Sequence, residues 1–96
     1  MTAYWINTFT EISDEAKLAR YAELAGPAMR AAGGRVLARG NPAYVFEGAT
    51  ALRTTLIEFE TVEAAAAAYN STAYEEARRA LGDGARREIR IVQAIE

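Results

Sequence analysis

Neither cysteine nor histidine occurs among the 96 residues. That double absence removes thiol nucleophiles, disulfides, structural zinc of the usual kind, His-ligated haem and Ser-His-Asp triads together. No stretch approaches the ~20 consecutive apolar residues that a bilayer span needs. Charge of one sign is lacking as well: 13 acidic residues stand against 11 basic ones, and a net charge of -2 points away from nucleic acid and anionic membranes as partners. Met1-Thr2-Ala3-Tyr4-Trp5 has neither the basic region nor the apolar run of a secretory leader, so a cytoplasmic location is expected. Gly33-Gly34 and Gly82-Asp83-Gly84 lack the spacing of a nucleotide-binding loop, and Asp14-Glu15 and Glu75-Glu76 lack that of a calcium loop. No metal and no cofactor are expected.

What is present suits one globular domain over residues 1–96, with 51% hydrophobic and 25% charged residues. A chain this short buries only roughly 60 to 68% of its unfolded surface, which favours a partner. Ala3 to Thr10 is rich in aromatic and β-branched residues and reads as a strand. Ser13 is placed to cap a helix whose apolar face carries Leu18, Tyr21, Ala22, Ala25 and Met29; Gly26-Pro27 predicts a kink or break in it, and Gly33-Gly34 ends it. Arg35 to Arg39 alternates as a second strand, flanked or extended by Tyr44-Val45-Phe46, and residues 53–60 read as a third. Thr61 caps an alanine-rich helix, Asn70-Ser71 divides it from a short helical piece carrying Tyr74, and residues 88–95 close the chain as a fourth strand.

The order β, α, β, β, α, β predicts an α+β, ferredoxin-like fold: a four-stranded antiparallel sheet with its helices on one face. Strand alternation divides the side chains between the two faces. The nearly polar-free set, Tyr4, Ile6, Val36, Ala38, Ile57, Phe59 and Val92, is assigned to the helix side. The other set holds Trp5, Phe9, Leu37, Leu56, Ile89, Ile91 and Ile95, interleaved with Asn7, Arg35, Arg39 and Glu58. An apolar face of that size predicts a second sheet covering it, hence a homodimer of the dimeric α+β barrel type.

Tyr4-Trp5-Ile6, Gly33-Gly34-Arg35, Arg39-Gly40, Glu47-Gly48, Ile57-Glu58-Phe59, the run Ala64 to Tyr69, and Asn70-Ser71 with Tyr74 together resemble the DUF1330 family, over nearly the whole chain. The resemblance implies a dimeric α+β barrel, a superfamily that holds cofactor-independent monooxygenases, small isomerases, haem enzymes and stress-responsive proteins. It implies no single reaction. The family tends to carry an arginine seven residues after the tyrosine matching Tyr74, where this chain has Leu81.

Charges on a partly apolar sheet face need partners, which singles out Arg35, Arg39 and Glu58. As a catalytic pair, Arg39 would hold a small anion or carbonyl ligand and Glu58 would act as general base; as a structural pair they would fix dimer register. Trp5, Asn7, Arg35, Asn70, Ser71 and Tyr74 are the candidate substrate-binding residues. The commoner use of Asn70 and Ser71 is as helix caps, and of the aromatic residues as core. Two functions follow: a small-molecule-binding or cofactor-independent enzyme of monooxygenase or isomerase type, or a non-catalytic structural or regulatory homodimer.

Overall fold

A computed structural model describes residues 1–48 and 52–95. The elements run β1 (Ala3–Ile12), α1 (Glu15–Ala31), β2 (Arg35–Gly40), β3 (Thr54–Phe59), α2 (Val62–Tyr69), α3 (Thr72–Leu81) and β4 (Ala85–Gln93). All sheet pairings are antiparallel in the order β2-β3-β1-β4, the ferredoxin-like arrangement. Among the described residues no helix is long and apolar enough to cross a membrane.

Local chemistry places the helix ends. Thr61 and Ser71 accept from the backbone N–H groups of Ala64 and Tyr74. The N-cap of α1 is Asp14 rather than Ser13; it accepts from the Lys17 N–H, while the Ser13 hydroxyl donates to the Asp83 carbonyl. At the other end Gly33 lies at φ 93° and the Gly34 N–H reaches the Met29 carbonyl at 2.8 Å, closing the helix in a Schellman turn. α1 runs unbroken through Pro27, so of the kink or break expected there the break does not occur. Gly26 has no Cβ to crowd the proline ring, and the carbonyl that loses its donor belongs to solvent-exposed Glu23, where water can replace the bond.

The core lies between the sheet and the helices, with Trp5, Phe9, Ile57, Phe59, Tyr74 and Leu81 all buried. This corrects the face assignment. Trp5, Asn7 and Phe9 point to the helices, and Ile89 and Ile91 pack against the same core; Tyr4 and Ile6 take the open face, where Tyr4 lies opposite Val92 and Glu58. In β2, Val36 pairs with Ile57 and Ala38 with Leu56, so Leu37 is an inserted residue that reverses the alternation. Arg35, opposite Glu58, stays on the open face; Arg39, opposite Thr55, is carried to the helix side.

Candidate functional site

α1 packs chiefly along α3, and towards the sheet it presents small residues: Ala22, Ala25 and Gly26. They leave a cavity of about 50 Å³ against β1, β2 and β3, enough for a few waters or a small organic group. Its walls are mostly apolar, formed by Trp5, Phe9, Ile57, Leu18 and Met29. Four polar side chains join them: Asn7, Thr55, Arg39 and Arg53. A more open groove of about 510 Å³ adjoins it and shares Leu18, Arg39 and Arg53 with it, so the two arginines stand where cavity and groove meet. Among the described residues neither arginine forms an ion pair.

Asn7 is the buried polar residue of this region, 4% exposed, and its Oδ1 has no hydrogen-bond partner among the described residues. An unmet acceptor in an apolar surround costs free energy, which the rest of the fold must offset. A ligand or water donating to it would remove that cost.

Behind the cavity wall stands an aromatic cluster. The Tyr21 and Tyr74 hydroxyls are 2.6 Å apart, and Trp5 meets the Tyr74 ring edge-on at 5.3 Å. The Arg87 guanidinium carbon lies 4.4 Å from the Tyr21 ring centroid, 5.8 Å from that of Tyr74 and 6.0 Å from that of Phe9. Burial, reinforced by the field of Tyr21, pushes the Tyr74 phenol far above its ordinary range, and Arg87 only partly opposes the rise. Tyr74 is therefore a protonated hydrogen-bonding group, not a base.

The cavity unites three of the residues nominated from sequence, Trp5, Asn7 and Arg39. It does not unite Arg39 with Glu58, because the two lie on opposite faces of the sheet. The Glu58 carboxylate instead accepts from Arg35 at 3.0 Å on the open face, with Arg35 72% exposed and Glu58 30%. Ser71 caps α3, Tyr74 is fully buried, and Asn70 lines a separate groove beside β4. Sequence reasoning missed Arg53, Thr55 and Arg87 as site residues. The row Arg53-Thr55-Ile57 continues the alternation of β3 into the cavity, and Arg87 precedes Ile89 and Ile91 at the same spacing, just outside the strand read at 88–95.

The family model described as a domain of unknown function, DUF1330, matches residues 2–95. Among curated proteins nothing matches the chain. The chain is similar in fold to a crystal structure of a protein of unknown function from Rhodopseudomonas palustris, with a TM-score of 0.79 and 16% identity over 99% of this chain and 83% of that one. It is also similar to SnoaB, a cofactor-independent oxygenase from Streptomyces nogalater, with a TM-score of 0.69 and 12% identity over 99% and 94%. A dimeric ferredoxin-like protein of unknown function from Jannaschia sp. CCS1 gives a TM-score of 0.69 and 14% identity over 98% and 100%.

Proposed function

The chain belongs to the DUF1330 family, and from that premise and the geometry of the cavity we propose that it binds a small, largely apolar molecule between α1 and the sheet. The observation that carries this reading is the buried Oδ1 of Asn7, unpartnered among the described residues, in a wall that is mostly apolar. The ligand presents an O–H or N–H to Asn7, rests its apolar body on Trp5 and Phe9, and turns a polar end to Arg39 and Arg53 at the mouth. Any chemistry there is cofactor-independent, of the monooxygenase or isomerase kind, and the oxygenase SnoaB shares the fold. No carboxylate lines the cavity among the described residues, so a reaction at this site does not use Glu58 as its base.

The working unit in this proposal is a cytoplasmic homodimer joined through the open sheet face, where Tyr4, Ile6, Leu56 and exposed Val92 remain available. The dimeric Jannaschia protein of the same fold supports it. A solely structural role for the dimer predicts a chain indifferent to small ligands.

Trp5 is the single tryptophan and lines the cavity, so its fluorescence reports occupancy directly. Titration with a panel of small phenols and hydroxy-carbonyl compounds, with thermal denaturation in parallel, should find members that change Trp5 emission and raise the midpoint by mass action. A panel in which nothing binds, or in which binding survives Asn7→Leu unchanged, refutes the assignment.

A further inference from the structure

A groove of about 450 Å³ runs between α2 and β4. Its floor is Ala66, Ile89 and Ile91, and its polar edge is Tyr69, Asn70 and Arg87. Arg87 lines it and Arg78 lies over Tyr69, and among the described residues neither forms an ion pair. Arg87 contributes directly; its NH1 is buried with no hydrogen-bond partner among the described residues. Arg78 backs the groove, its guanidinium carbon 4.5 Å from the Tyr69 ring centroid and its Nε likewise buried and unpartnered.

That no carboxylate pairs with Arg87 among the described residues is a matter of placement, since acidic residues outnumber basic ones in this chain. Its neighbours on β4 are paired: Arg86 lies 3.9 Å from Glu11 and Arg90 3.5 Å from Glu88. Those two point to the open face and are exposed, where pairing matters little. Arg87 is the one turned inward, towards the helices, where it packs on the Tyr21, Tyr74 and Phe9 rings and forms no ion pair among the described residues. Aromatic faces attract the cation but accept none of the in-plane N–H bonds of a guanidinium, so a structural stacking role leaves NH1 unmet.

We propose that the groove between α2 and β4 is a second ligand site, that its ligand is a small aromatic monocarboxylate, and that Arg87 is its anion-binding group. A carboxylate fits the planar guanidinium fork, the ring lies on Ala66, Ile89 and Ile91, and Tyr69 borders it. A single negative charge suits a floor that is apolar; a doubly charged anion would lose more hydration there than one half-covered arginine returns. Arg87 does not line the α1–sheet cavity, so the two sites stand or fall separately.

The probe is benzoate, with benzyl alcohol as its neutral counterpart, and the readout is the set of arginine side-chain and backbone NMR resonances of the isotope-labelled full chain. Benzoate should shift the Arg87 side chain and the residues around Tyr69 and Ile89 saturably, and benzyl alcohol should not. Arg87→Met should weaken benzoate by about tenfold or more, the loss of a charge-assisted carboxylate contact. Because Arg87 also packs on the core rings, Ala66→Trp provides an independent block: Ala66 is exposed, and an indole there fills the groove while the arginine is kept. Loss of benzoate shifts in a folded Ala66→Trp chain supports the site. Benzoate that leaves Arg87 unmoved at high millimolar concentration, equal binding of benzyl alcohol, or undiminished binding to Ala66→Trp overturns it, and shifts confined to Asn7 and Arg39 assign the anion to the other cavity.

Discussion

Replacing Asn7 by leucine separates stability from function in this protein. The two side chains branch alike at Cγ, and the carboxamide sits 4% exposed among Trp5, Phe9 and Ile57 with its Oδ1 unpartnered among the described residues. If Asn7 served the fold, its loss would destabilise. Here the substitution removes an unmet buried acceptor, for which the penalty is about 1–3 kcal/mol, and the added methyl groups have cavity space to enter. Water in the cavity offsets part of that penalty, so a net gain of about 1 kcal/mol is expected. For a domain of this length such a gain raises the midpoint by about 4–8 °C. Urea and thermal denaturation of both chains measure it, and the same samples titrated with any ligand that alters Trp5 emission should show the response abolished. A stability loss above about 1 kcal/mol, a size typical of an ordinary destabilising core change, would mean that Asn7 holds the structure together and would sink the reasoning.

Three other outcomes follow from the geometry. The Tyr74 phenol, raised by burial, should stay protonated in the folded chain when the exposed tyrosines ionise; since the unfolded phenol ionises first, stability present below its ordinary pKa of 10.0 is lost as pH rises above it, and an alkaline titration should show the last tyrosinate band appearing only with loss of circular dichroism. Gly34→Ala should destabilise by about 1–3 kcal/mol in urea denaturation, because the new Cβ would stand 2.8 Å from the Phe59 Cζ and 2.9 Å from the Ile57 Cγ2. Glu58→Gln should change stability by less than about 1 kcal/mol, its Arg35 partner being largely exposed, and should leave the Trp5 ligand response intact; a lost response would return Glu58 to the site.

What was readable in the chain is what depends on near neighbours. The four strands, the alanine-rich helix, and the Thr61 and Ser71 caps follow from propensity and from side chains bonding two or three residues away, and their order leads to the ferredoxin-like sheet. Ser13 and Asp14 show the edge of that reach. Both can cap, and the choice fell to Asp14 because the Ser13 hydroxyl is turned to the Asp83 carbonyl at 3.2 Å, a partner far along the chain.

Faces and sites were decided by the tertiary structure. Alternation has a period of two residues, so one inserted residue reverses everything after it: Leu37 sends Arg35 and Arg39 to opposite sides and dissolves the expected Arg39–Glu58 pair. In β1 the polar-free row was placed inward, yet the row that turned inward carries Asn7, because the helices offer Trp5 and Phe9 more apolar contact than Tyr4 and Ile6 would find. A polar residue retained inside against that preference is what marks the cavity. The cavity itself depends on Ala22, Ala25 and Gly26 of α1 facing Asn7 from a strand that precedes them, a juxtaposition that only the folding of α1 back over the sheet creates.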